Sequence, residues 1–273
     1  MHDDADELAD LIGALYDSEL PAMRPLDPRN PERARGAMKL ARKYEVESVR
    51  ARIIRRMEAD WPQDVLEWLR LIGDIKRRTE LRTMLCRTGT SSDPEPDAFV
   101  PEPASAVRFA REFDVPSILP AAFYTLALAD IQQDWDETRV SRPFAAAQWR
   151  LLDQEDTMRL FRGKSKLRAA ASAMVKVPFP GESYCTDCKD SRLPRVFSEK
   201  WSTYLTSGGF EGGVALADAP DIIGILLSCL ELLEGRGSQF AGMCETHRIL
   251  YRKFVSAKLH HEWESLSEKF QLR

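Results

Sequence analysis

No stretch of this 273-residue chain is apolar enough to cross a membrane as a helix. The longest nearly unbroken run, Ile222 to Leu230, is about half of the roughly 20 residues that a span needs. Charge of one sign is missing as well. Lys and Arg number 39 against 43 Asp and Glu, for a net charge of −4, so the overall field does not favour nucleic acid or an anionic membrane. A basic and then apolar leader is absent: Met1-His2-Asp3-Asp4 is acidic, and an intracellular setting, cytoplasm or nucleus, is expected. The five cysteines are an odd count, which fits reduced thiols better than a disulfide framework. Alternating strand patterns are lacking too; Val175-Lys176-Val177 is the best and it is short.

Signatures of catalysis are incomplete. Gly163-Lys164-Ser165 imitates the end of a phosphate-binding loop, but Met158 stands where the first glycine belongs and no strand precedes it. No serine is flanked by glycines two residues away on both sides, so there is no nucleophile elbow. His260-His261-Glu262 lacks the spacing that aims two histidines at one ion. The glycine-rich segment Gly208–Gly213 has neither a preceding strand nor a following cap and reads as a surface loop. A non-enzymatic protein is expected.

What the chain has is helix. Asp3 or Asp4 can cap a first helix with apolar residues at Ala5, Leu8, Leu11, Ile12 and Leu15. Asn30-Pro31-Glu32 reads as a helix start, running to about Tyr44. Val46, Val49, Ile53 and Met57 line the next helix, stopped by Trp61-Pro62. Gln63 to about Met84 is one helix or two, and Thr88–Pro103 is a loop rich in proline. Helices follow over Ser105–Phe113 and Ser117 to about Ile131. A short helix then reaches Phe161, and Gly163 is expected to separate it from a basic one ending near Val177. Past the boundary at Pro178-Phe179-Pro180-Gly181, helices are expected over Leu193–Leu205, from Asp218-Ala219-Pro220 through Leu233, and from Cys244 to about Ser265.

One sentence of this chain is written twice. Ala41-Arg42-Lys43-Tyr44-Glu45-Val46-Glu47-Ser48-Val49 returns as Ala110-Arg111-Glu112-Phe113-Asp114-Val115-Pro116-Ser117-Ile118. Each copy reads as a helix ending on an aromatic, a turn of one or two residues, and a new helix. The echo predicts two superposable hairpins with Tyr44 and Phe113 in equivalent buried positions. Repeated hairpins are a packing device, which points to a scaffold rather than a reaction centre.

These same residues carry a family resemblance. Asp6-Glu7-Leu8 through Leu15-Tyr16-Asp17-Ser18-Glu19, a proline-rich gap, and then Leu40 through Arg50 resemble the C-terminal third of a BTB/POZ domain. Arg111-Glu112-Phe113-Asp114-Val115-Pro116-Ser117-Ile118-Leu119-Pro120-Ala121-Ala122 is similar to a stretch that recurs in a large group of fungal BTB-domain proteins, where paired cysteines near the C-terminus recur too. The resemblance implies an N-terminally truncated BTB domain followed by a BACK-like helical region. The expected fold is therefore mainly α: a BTB-like part over 1–61, a BACK-like region over 62–178, and a small C-terminal helical module over 179–273. The implied function is that of a protein–protein interaction or adaptor protein, through a protein partner or self-association. Leu8, Leu11, Ile12 and Leu15, which would pack on the rest of a complete BTB domain, are the expected interaction surface.

The strongest chemical signal is Cys185-x-x-Cys188 with Cys244-x-x-His247. Two intervening residues let a knuckle or a helical turn aim both side chains at one ion, and thiolate with imidazole suits a structural zinc that would tie the C-terminal module. The alternatives are two unrelated thiol pairs, or a redox pair, which would call for a βαβ setting. Cys86 and Cys229 read as buried apolar thiols. The rival function is a zinc-containing helical nucleic-acid-binding protein, because Arg33 to Arg56 carries nine basic residues against Glu45 and Glu47. The same residues alternate with an apolar stripe, as a solvated helix face requires.

Overall fold

Helix signals become ten α-helices and two 3-10 turns in the computed structural model, which describes residues 3–16, 23–87, 100–135, 144, 146–175, 221–234 and 244–272. No β-strand occurs among the described residues; the protein is mainly α. The chain divides into two compact units, Met1–Leu160 with Leu272–Arg273, and Phe161–Gln271.

In the first unit, α1 (Ala5–Tyr16) starts where Asp4 Oδ1 accepts the amide N–H groups of Asp6 at 2.9 Å and Glu7 at 3.2 Å. These are two of the donors that a helix start leaves unpaired. α1 packs on α2 (Asn30–Lys43), and the two approach closely at Gly36, where an added Cβ would lie 3.1 Å from Glu7 Cγ. Asn30 does not cap α2, contrary to the sequence reading. Its side chain is buried and donates instead to Asp60 at 2.8 Å and to the Arg24 carbonyl at 2.6 Å. Asp60, at the end of α3 (Glu47–Asp60), also accepts from Leu26 N–H at 3.0 Å and from Arg56. A buried carboxylate with these partners fixes the loop before α2 to the far end of α3.

The echoed segments share one turn. Glu45 and Asp114 both adopt the left-handed conformation, with φ of 55° and 56°. In both, the next amide reaches back five residues, Val46 N–H to Ala41 carbonyl at 2.8 Å and Val115 N–H to Ala110 carbonyl at 2.9 Å. That is the bonding of a helix C-terminus closed by a left-handed residue. Ala41 and Ala110 are buried, as are Val49 and Ile118. The aromatics differ. Phe113 is 4% exposed and packs on Phe109 with ring centroids 4.8 Å apart, whereas Tyr44 is 51% exposed. The expectation of a buried Tyr44 is therefore corrected: its hydroxyl donates to Asp3, near the surface, where burial would have left it without water or partner. Pro116, in place of Glu47, opens a 3-10 turn, Pro116–Ile118, before α6 (Leu119–Leu128) begins.

α4 (Val65–Arg87) is a single helix anchored by its first half. Val65, Trp68, Leu71 and Ile75 are buried at helical spacing. Trp68 meets Tyr124 of α6 edge-on at 5.5 Å and stacks on Phe144 at 5.8 Å. α5 (Pro103–Phe113) packs on both α6 and α2. The segments 1–61 and 62–160 lie in the first unit, where α2 lies on α5 and Ser117 Oγ donates to Glu58 Oε1 of α3 at 2.8 Å. The boundary expected at 178/179 lies outside the described residues.

α7 (Gln154–Val175) begins in the first unit and continues into the second. It runs unbroken through Gly163, which the sequence reading took for a separator. Glycine is there because the ring of Phe270 lies on that spot: an added Cβ would come within 1.9 Å of it. In the second unit α8 (Ile222–Glu234) packs on α9 (Glu245–Glu264), and α10 (Leu266–Lys269) follows. Asp221 Oδ1 caps α8 by accepting Gly224 N–H at 2.7 Å. Ile222, Ile223, Leu226 and Cys229 are buried on α8, and Tyr251, Val255 and Leu259 on α9. The expected helix over Leu193–Leu205, the Asp218-Ala219-Pro220 cap and the Gly208–Gly213 loop lie outside the described residues.

Candidate functional site

The four leucine and isoleucine positions singled out on α1 separate into two kinds. Leu8, Ile12 and Leu15, at i, i+4 and i+7, are exposed and continue into exposed Tyr16. Leu11 is corrected: it is 4% exposed and belongs with Glu7 and Ala14 to the side of the helix that meets α2 and α3. Asp6 and Asp10 lie on the face of α1 opposite that stripe, and Asp10 Oδ2 stands 3.3 Å from where a Cβ on Gly36 of α2 would lie. Partial burial, then the charges of Asp6 and Glu7, raise the Asp10 carboxyl above its ordinary value.

Of the four residues proposed as metal ligands, two come together. Cys244 is the N-cap of α9, where its Sγ accepts the His247 N–H at 3.5 Å and lies 3.1 Å from His247 Nδ1. His247 is buried. A tetrahedral zinc about 2.3 Å from sulfur and about 2.0 Å from nitrogen would hold those two ligands about 3.5 Å apart, so the pair needs only a small adjustment. The helix N-terminus also favours a thiolate. Cys185 and Cys188 lie outside the described residues, and among the described residues no group of three or more His, Cys, Asp or Glu could hold an ion. Cys229 is different in kind: burial pushes its thiol up to about 12, against a hydrogen bond from Tyr251 that lowers it, so it stays protonated and inert. The side chain of Cys86 lies outside those described.

Buried carboxylates, which the sequence reading missed, are committed to architecture. Glu102 is fully buried and caps α5: Oε1 accepts from Ala104 N–H at 3.1 Å and from Gln148 N–H at 2.9 Å, and Oε2 from Ser105 N–H. Burial raises its carboxyl, opposed by these bonds. Glutamate is not a favoured cap residue, so its role was not legible; it is long enough to reach the loop before Trp149 as well. Asp156 accepts from Arg111 at 2.8 Å and Arg159 at 2.9 Å. Glu262 pairs with Lys258 at 3.2 Å and Lys269 at 2.9 Å; burial raises its carboxyl, but the two lysines outweigh it and the net shift is downward.

Among the described residues, partners are seen for eight of the nine basic residues from Arg33 to Arg56. Arg33 meets Asp27, Arg35 meets Glu112, Lys39 meets Glu7, Lys43 meets Asp3, Arg50 meets Glu47 and Arg56 meets Asp60. Arg42 and Arg52 donate to the carbonyls of Glu112 and Ala14. Exposed pairs add little stability, yet the six carboxylate partners each offset a positive charge.

No protein-family model, curated protein or solved structure matches this chain. Among the described residues no helix is long and apolar enough to cross a membrane.

Proposed function

We propose that this chain is a non-enzymatic protein–protein interaction module of the adaptor type implied by its resemblance to BTB/POZ-domain proteins. The observation that carries the reading is the exposed stripe of Leu8, Ile12 and Leu15 on a helix whose other side is packed. An apolar surface held out by a rigid hairpin suits a partner. The engagement of Glu102, Asp60, Asp156 and Glu262 in caps and ion pairs supports the same reading, since general acids and bases need a carboxyl open to a substrate. The pairing of the Arg33–Arg56 residues disfavours the nucleic-acid alternative. A photo-crosslinking residue in place of Ile12 tests the proposal. Specific adducts that disappear when Leu8 and Leu15 become aspartate support it; labelling as diffuse as that of a crosslinker at exposed Glu67 counts against it.

A zinc ion held by Cys185, Cys188, Cys244 and His247 belongs to this proposal. The 3.1 Å approach of Cys244 and His247 supports it. Four protein ligands would leave no open position for water, so the ion would fasten α9 and do no chemistry. The expected outcome is one zinc per chain by elemental analysis, lost in Cys244→Ser, with a lower melting temperature after chelation. Metal-free protein that melts identically with and without chelator would remove zinc from the proposal.

A further inference from the structure

α1 is docked on α2 by charge more than by apolar burial. Of its twelve residues only Leu11 and Ala14 are buried, against seven of eleven in α5 and eight of ten in α6. What faces α2 is a ladder. Asp3 accepts from Lys43 and from the Tyr44 hydroxyl, Glu7 accepts from Lys39 at 2.8 Å, and Asp10 Oδ2 stands beside Gly36. Asp3, Glu7 and Asp10 climb in steps of four and three residues, the spacing of one helix side. Lys43, Lys39 and Gly36 descend α2 in the same steps, so the two helices run antiparallel in a register that the charges mark. At the far end of α1, Arg52 of α3 donates to the Ala14 carbonyl at 2.7 Å. The Asp3 carboxyl is held below its ordinary value, first by the bond from Lys43 and then by that from Tyr44, and Lys43 is raised by the same bond.

A helix held in this way can leave by itself. Segments with few buried apolar contacts open at lower cost than the core, and helices shorter than roughly 12–15 residues are marginal in water without a surface to pack on. The pairs Lys39–Glu7 and Lys43–Asp3 keep part of each side chain in water, where salt screens them. α2 has other support, because it packs on α3 and α5 as well. We infer that α1 is a strap clasped to α2 by the pairs Asp3–Lys43 and Glu7–Lys39, and that it releases as a unit while α2 to α6 stay folded. Released, α1 offers Leu11 beside Leu8, Ile12 and Leu15, so the clasp sets how much apolar surface this helix shows. That consequence rests on the interaction reading above; the release itself does not.

Amide hydrogen exchange on the full-length chain supplies the test, read separately for α1 and for α5 with α6. In the wild type α1 should exchange faster than α5 and α6. Raising salt to about 1 M, where charges act only within about 3 Å, should speed α1 alone. K39E/K43E and D3K/E7K each place like charges in both pairs. Each should lose at least roughly tenfold of the α1 protection and leave that of α5 and α6 unchanged. The quadruple variant D3K/E7K/K39E/K43E reverses both pairs and should protect α1 better than either double variant does. That recovery isolates the pairing, since the quadruple variant carries the helix-end penalties of both doubles. Loss of α5 and α6 protection together with that of α1 would make α1 part of the cooperative core and overturn the inference. So would α1 protection equal to that of α5 in low and high salt alike, or no recovery in the quadruple variant. Any of these results leaves the crosslinking at Ile12 to decide the interaction reading by itself.

Discussion

At the scale of single residues, the echoed segments were legible as a turn and misleading as a core. Ala41 and Ala110, Val49 and Ile118 are buried in both copies, and the left-handed turn recurs at Glu45 and Asp114. Tyr44 and Phe113 part company because a hydroxyl tolerates water and a phenyl ring does not. Phe113→Ala should therefore cost about 3–5 kcal/mol, read by chemical denaturation, and Tyr44→Ala less than about 1 kcal/mol, as an exposed position implies. Equal losses would contradict the burial difference. Glu102 gives a prediction with a sign. Burial raises its carboxyl above the ordinary 4.5, so the folded state holds the proton more tightly than the unfolded chain. The stability it contributes is complete below that ordinary value and falls away as pH rises through the higher folded value. Glu102→Gln retains an acceptor for the Ala104 and Gln148 amides and should flatten this slope in melts taken across the acid range. Glu102→Ala leaves three amides without their acceptor and should cost about 1–3 kcal/mol. An unchanged pH slope in Glu102→Gln would mean that the carboxyl does not titrate differently in the fold.

Among elements, helix existence was readable and helix ends were less so. The stripe Val65, Trp68, Leu71 and Ile75 lay within an apolar stretch too dense to resolve by pattern alone; only packing on Tyr124 and Phe144 selects it over Leu66, which is exposed. Asn30 looked like a cap by residue type, but Asp60, 30 positions away, claims its side chain. Gly163 shows the same limit. Glycine in a helix usually marks weakness, and nothing local announces a ring from Phe270 lying over it. Gly163→Ala pits a helix-propensity gain of about 1 kcal/mol against overpacking that typically costs about 1–3 kcal/mol. A clash at 1.9 Å with a fully buried ring puts the cost ahead, so the variant should melt lower than wild type. A higher melting temperature would show that the ring can move aside.

For the whole molecule, composition excluded a helical membrane span and pointed to helices, while the grouping of those helices depended on contacts distant in sequence. Ser117 with Glu58 and Arg35 with Glu112 join the segment 1–61 to the region that follows it. Two compact units predict two separable responses in calorimetry: Phe113→Ala should lower a transition belonging to the first unit, and chelation one belonging to the second, if zinc is held near Cys244. A single transition moved equally by both would show that the units unfold together. The glycine notch on α7 has one more consequence. Phe270 fits it as a plug fits a socket, so Phe270→Ala should leave a buried, ring-shaped void against α7, into which a small aromatic can bind. A chain made fragile in this way would become a sensor: benzene or indole should raise its melting temperature in proportion to the logarithm of ligand concentration and leave the wild type unmoved.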